Sequence, residues 1–237
     1  MTTPSAAIDG LPDALRSRLA LALDTDDFVE AERLIKELSP WFGVVKVGME
    51  LYAAGGPEGV AVLVDQGLDV FLDLKLHDIP TTVGKTARVL GSIGVRYLTM
   101  HAFGGVAMLQ AAVEGLAEGA AATDMAPPIA LAVTVLTSDG TAPPHILGKR
   151  VEAALAAGCG GIVCSASDVA EAKTLGPQLT AVVPGIRAAS GSRDDQANPA
   201  TPEAAFAAGA DVLVVGRAVT AASDRQAAAA SLFASLL

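Results

Sequence analysis

Short β-branched apolar runs alternate with longer Ala- and Leu-rich stretches along the whole chain. The short runs predict strands over Leu19–Asp24, Gly43–Gly48, Val70–Leu76, Tyr97–Ala102, Ile129–Leu136, Gly161–Ala166, Ala181–Gly185 and Val212–Gly216. The longer stretches predict helices near Asp27–Leu38, Glu58–Gln66, Thr81–Ile93, Val106–Glu118, Ile146–Ala157, Asp168–Leu175, Pro202–Ala208 and Ala221–Leu236. Most of the strands are apolar throughout, as strands covered on both faces should be. Eight strands alternating with eight helices in 237 residues point to an α/β protein of the (β/α)8 TIM-barrel type, with an open doubly wound sheet as the main alternative. No linker, repeat or low-complexity segment divides the chain, so residues 1–237 read as a single domain. The least regular stretch, Ala188–Thr201, is rich in Ser, Gly, Asp and Pro and predicts a mobile loop after the seventh strand.

The interruptions of this pattern are informative. In Phe71-Leu72-Asp73-Leu74-Lys75-Leu76-His77-Asp78-Ile79-Pro80-Thr81-Thr82, two acids and a lysine lie inside and just after an apolar run. Side chains alternate along a strand, so Phe71, Asp73 and Lys75 share one face. A charge taken out of water costs several kcal/mol, so charges in such a run are usually paired and often functional. The other polar residues also gather at C-terminal strand ends: Asp24 on the first strand, Lys46 inside the second, His101 closing the fourth, Thr137 and Ser138 after the fifth, and Arg217 after the eighth. Barrel enzymes build their sites at that end. Each residue also has a plain structural reading. Asp24 could cap the following helix, Lys46 could snorkel to the surface, His101 could be a satisfied core histidine, and Asp73 with Lys75 could be only an ion pair. Their convergence on one end of one barrel favours a site.

Composition narrows the partners. The formal charge of −10 argues against nucleic acid or an anionic membrane, but leaves room for a small anionic substrate held by local cations. Apolar residues make up 51% of the chain and aromatic residues only 4%, so Ala, Val and Leu must fill the core. Two cysteines without a CxxC spacing and three scattered histidines offer no metal-ligand pattern, and the cysteines read as buried thiols. No apolar run approaches membrane-spanning length and no signal peptide is visible, which leads us to expect a cytoplasmic protein.

A second candidate region is Val182-Val183-Pro184-Gly185-Ile186-Arg187, with Gln196 beyond it and Val214-Val215-Gly216-Arg217 on the last strand. Loops after strands seven and eight of barrels often hold phosphate on backbone amides. Gly185 and Gly216 would allow close backbone approach, and Arg187 and Arg217 each offer a forked donor.

These residues resemble a known family. Leu21-Ala22-Leu23-Asp24, Val45-Lys46-Val47-Gly48, Asp73 through Pro80, His101-Ala102 with Gly104-Gly105, Val133 through Ser138, Pro184-Gly185-Ile186-Arg187 with Asp195-Gln196, and Val215-Gly216-Arg217 are similar to orotidine 5′-phosphate decarboxylases of the bacterial type, over nearly the whole chain. The D-x-K-x-x-D core is shared with sugar-phosphate decarboxylases and formaldehyde-condensing synthases, whereas Ile79-Pro80 and the P-G-I-R…D-Q segment resemble the orotidylate branch. Ala188 and Ala218 stand where many relatives have Pro, and Ala197-Asn198 replaces a basic stretch.

The resemblance implies loss of CO2 from carbon 6 of the pyrimidine of orotidine 5′-phosphate, giving uridine 5′-phosphate without metal or organic cofactor. It implies Lys75 as proton donor, Asp73 beside the departing carboxylate, and Lys46 and Asp78 completing an alternating array. Asp78 and Thr82 would enter from the other subunit of a homodimer with shared active sites. Asp24 and Lys46 would meet the ribose, Thr137 or Ser138 the pyrimidine, and Arg187, Gln196 and Arg217 the phosphate. Pro184 and Gly216 would complete the substrate-binding set, and the Ala188–Thr201 loop would close over it.

Overall fold

The computed structural model describes residues 10–136, 141–143, 145–188 and 200–237. Within them eight parallel strands pair in sequence order and close on themselves, β1 against β8, so the barrel is borne out over the open sheet. The strands are β1 (Leu19–Leu23), β2 (Val44–Gly48), β3 (Asp69–Leu76), β4 (Tyr97–His101), β5 (Ile129–Val133), β6 (Gly161–Val163), β7 (Thr180–Val183) and β8 (Val212–Val215). Between and around them lie α1 (Asp13–Arg16), α2 (Phe28–Leu38), α3 (Met49–Asp65), α4 (Pro80–Gly91), α5 (Gly105–Ala122), α6 (Ile146–Ala156), α7 (Val169–Leu175), α8 (Pro202–Ala207), α9 (Arg217–Thr220) and α10 (Arg225–Phe233).

Period-two alternation sorts the strand residues into two cores. Ala20, Ala22, Val44, Phe71, Tyr97, Leu131, Val182, Val212 and Val214 fill the lumen. There the rings of Phe71 and Tyr97 meet edge to face at 5.8 Å. Leu21, Val45, Val47, Leu72, Leu98 and Met100 face the other way, into the layer shared with the helices. Small side chains on β1 and large ones on β3 and β4 complement each other in the lumen, as close packing requires. Among the described residues no helix is long and apolar enough to cross a membrane.

The departures from the predicted elements have local causes. Strand β5 ends at Val133, and beyond it the Thr134 N–H and hydroxyl both donate to the Val163 carbonyl. Helix α3 starts at Met49, nine residues before the predicted helix at Glu58; it is broken at Gly56 (φ 61°, ψ −165°), just before Pro57. Its first turns survive the Gly55-Gly56-Pro57 sequence because Leu51 is fully buried and the bare Gly55 backbone receives the Phe28 ring. The last helix, predicted from Ala221, begins only at Arg225, and a separate short helix, α9, precedes it. Asp224 caps α10 by accepting from the Ala227 N–H at 2.9 Å, and the Ala-rich pattern hid that start. Helix α1 was not foreseen; four residues carry too little periodicity to register.

Cys159 and Cys164 are buried free thiols. Burial pushes both from an ordinary value of 9.0 to about 12. Between those values the unfolded chain releases thiol protons that the folded chain keeps, so stability falls as pH rises through this window, by about 1.4 kcal/mol per pH unit for each thiol. Urea unfolding measured between pH 9 and 11 should therefore show a steeper alkaline decline for this protein than for its Cys159→Ala/Cys164→Ala variant. Parallel declines would show that the thiols are not its source.

Candidate active site

Three neighbouring strands lift charged side chains to the C-terminal mouth of the barrel. On β2, Val44 lies in the lumen core with Lys46 above it; on β3, Phe71 lies below Asp73 and Lys75; on β1, Ala20 and Ala22 lead to Asp24 just past the strand end. These groups share one cleft of about 400 Å3 with Pro184, Gly185, Arg187, Gly216 and Arg217 from the ends of β7 and β8. Ala22, Phe71, Val163 and Val214 supply its apolar lining. The cleft thus holds four cationic side chains and two anionic ones, a local excess of positive charge on an acidic chain.

The charges alternate. Lys75 Nζ donates to Asp73 Oδ2 at 2.8 Å, Lys46 Nζ stands 3.7 Å from the same oxygen, and Lys46 Nζ donates to Asp24 Oδ1 at 3.3 Å. Side-chain exposure is 12% for Lys46, 13% for Asp73 and 28% for Lys75, but 55% for Asp24, so the array runs from the rim inward. Withdrawn this far from water, an unpaired member would cost several kcal/mol, and the mutual pairing removes that penalty. Register makes the pairing possible: Gly48 lies opposite Asp73, and a Cβ on Gly48 would stand only 3.4 Å from Lys46 Nζ. Among the described residues no three His, Cys, Asp or Glu side chains come together as a ligand set.

The β7 side is shaped by backbone. Gly185 has φ 82°, a left-handed conformation that favours glycine. It turns the chain so that Ile186 bridges Ala200 and the Arg187 N–H donates to the Ala200 carbonyl at 3.0 Å. Arg187 is thereby held at the cleft wall, 8% exposed, and Arg217 reaches the same cleft from the first turn of α9.

Other predicted residues fall elsewhere. Asp78 is exposed and outside its own chain's cleft lining; its carboxylate accepts from the Ile79 N–H at 2.7 Å, and among the described residues it makes no ion pair. Thr82 is exposed on the first turn of α4, also outside that lining. Thr137, Ser138 and Gln196 lie outside the described residues, as does most of the predicted Ala188–Thr201 loop. His101 packs edge to face on His77 rather than lining the cleft; burial first, then the charges of His77, Lys75 and Arg150, hold its imidazole below 6.5. These surroundings favour its neutral form.

Thr99, in the middle of β4, was not singled out from the sequence. Its hydroxyl donates to Asp73 Oδ1 and accepts from the Lys75 N–H. The available signal was a lone polar residue between Leu98 and Met100 in an otherwise buried run. A threonine in a strand is too common to read that way alone.

Residues 17–232 match the sequence profile of the orotidine 5'-phosphate decarboxylase / HUMPS family. The chain is 45% identical over 230 residues to orotidine 5'-phosphate decarboxylase of Anaeromyxobacter sp. (strain K), covering 92% of this chain and 98% of that one. It is 42% identical over 233 residues to the enzyme of that name from Moorella thermoacetica, covering 93% and 92%. The crystal structure of orotidine 5'-phosphate decarboxylase from Lactobacillus acidophilus superposes with a TM-score of 0.77 at 34% identity, covering 91% of this chain and 97% of that one. With profile, relatives and barrel in agreement, this chain belongs to the orotidine 5'-phosphate decarboxylase / HUMPS family.

Proposed function

We propose that this chain decarboxylates orotidine 5′-phosphate to uridine 5′-phosphate in pyrimidine biosynthesis, without a metal or organic cofactor. The observation that carries this reading is the Asp24–Lys46–Asp73–Lys75 array sharing one cleft with Arg187 and Arg217. The C–C bond to the carboxylate breaks, CO2 leaves, and the electron pair stays on carbon 6. Lys75 lies where an ammonium can stabilise that charge and then donate its proton to the same carbon, regaining a proton from solvent. Asp73 sits beside the departing carboxylate and holds Lys75 in place; Asp24 and Lys46 serve the ribose. Arg187, Arg217, Pro184 and Gly216, with Gln196, form the phosphate end, and Thr137 or Ser138 meets the pyrimidine. Binding energy from the phosphate then lowers the barrier at the distant carbon.

Asp78 is assigned to the partner's cleft in a homodimer, together with Thr82. Two features support this: Asp78 faces outward, and its surroundings carry exposed apolar surface. Ile79 is 66% exposed, and Phe103, whose ring packs against His77, is 72% exposed. Free buried thiols accord with a cytoplasmic setting.

The first test is absorbance-monitored turnover of orotidine 5′-phosphate in EDTA. We expect full activity in chelator and no more than a few per cent in Lys75→Ala, with nucleotide binding retained. Activity that needs an added divalent metal would favour a sugar-phosphate enzyme of the wider group, and an active Lys75→Ala would remove Lys75 from the chemical step.

Replacing Arg217 by Ala removes a charge-assisted contact to phosphate worth roughly 1.5–3 kcal/mol. The kcat/KM for the nucleotide should fall at least about tenfold at that energy, with a far smaller loss on the phosphate-free nucleoside. Equal losses on the two substrates would show that Arg217 is not the phosphate ligand.

Shared sites predict complementation. Mixing inactive Lys75→Ala and Asp78→Ala subunits to full random exchange gives heterodimers in about half of the dimers, each with one intact site, so about a quarter of wild-type activity should return. No recovery after demonstrated exchange would mean that Asp78 serves its own chain.

A further inference from the structure

We propose that Thr99 is a positioning residue, whose buried hydroxyl ties the backbone that launches the Lys75 ammonium to the carboxylate that receives it. The register of β3 against β4 shifts at this point. Leu72 pairs with Leu98 and Leu76 with Met100, so Asp73, Leu74 and Lys75 stand opposite the single residue Thr99. Lys75 lies in this irregular stretch with φ 51°, a left-handed conformation that a lysine keeps only when its surroundings hold it there. A bulge of this kind takes backbone groups out of the ladder and re-aims side chains.

Thr99 replaces the lost partner. The Lys75 N–H donates to Thr99 Oγ1 at 2.9 Å, and the Thr99 hydroxyl donates to Asp73 Oδ1 at 2.9 Å. The directions follow from chemistry, since an ionised carboxylate only accepts and an amide N–H only donates; a hydroxyl can serve both at once. The other Asp73 oxygen takes Lys75 Nζ at 2.8 Å. A closed circuit results, from the Lys75 backbone through Thr99 and Asp73 to the Lys75 ammonium. Thr99 is fully buried and does not line the cleft, so it acts through Asp73 and Lys75 and not on substrate.

The inference rests on Asp73 and Lys75 being the reacting pair of the proposed decarboxylation, and two readouts separate the ideas. Thr99→Val keeps the shape and removes both bonds; Thr99→Ser keeps the hydroxyl. In Thr99→Val we expect kcat to fall roughly ten- to a hundredfold, the scale of a misplaced reacting group, with KM near wild type. Thr99→Ser should recover most of kcat. In crystal structures, Thr99→Val should show Lys75 out of its left-handed conformation or its ammonium drawn away from Asp73, and Thr99→Ser should show neither. An unchanged kcat, a loss carried by KM alone, a Ser variant as impaired as Val, or an intact turn and ion pair in Thr99→Val would each overturn the proposal. If Thr99→Val does not fold, Thr99→Cys, a weak hydrogen-bonding group of similar size, takes its place with the same expectations. Should the wild type fail to consume orotidine 5′-phosphate, the decarboxylase reading falls by itself and the crystal structures still decide the role of Thr99.

Discussion

One carboxylate shared between two ammonium groups is the constraint on which the site depends. Asp73 Oδ2 lies 2.8 Å from Lys75 Nζ and 3.7 Å from Lys46 Nζ. Without that oxygen the two cations would repel each other in a cleft where water screens them poorly. Without the cations the carboxylate would sit almost dry and unneutralised. Each charge is tolerable only because the others are there. The barrel supplies what this mutual dependence requires: adjacent strands in fixed register, a glycine opposite Asp73 to leave room for Lys46, and a rim acid, Asp24, to balance the second cation.

The same logic separates local from global electrostatics. The chain carries a net charge of −10, yet its cleft holds two more cationic than anionic side chains. At ordinary ionic strength, charges more than about 10 Å apart are largely screened from one another. The acidic surface is therefore no obstacle to an anion already in the cleft.

Much of this was legible in the sequence because period-two alternation is a strong signal when the expected background is apolar. A lysine within Val44–Gly48, and an acid and a lysine two residues apart in Asp69–Leu76, stand out for that reason, and they point where alternation says. The first turns of α3 and the start of α10 were not legible, because each depends on a particular contact: Phe28 over Gly55 and the Asp224 cap. Thr99 was missed for a related reason. Its importance comes from a register shift between two strands, and pairing between strands is a property of the sheet that neither strand reveals alone.

The pairing of β1 with β8 carries a consequence for how the protein comes into being. The cleft joins Asp24, near the beginning of the chain, to Arg217, near its end. During synthesis the open edges of β1 and β7 have no partner until β8 arrives, and each is a row of unsatisfied backbone groups able to pair with another chain. Closing that seam brings together residues almost the full length of the polypeptide apart, which is slow on entropic grounds. The vulnerable period in the life of this molecule is thus the interval before its last strand docks, when both edges are open and the cleft does not yet exist.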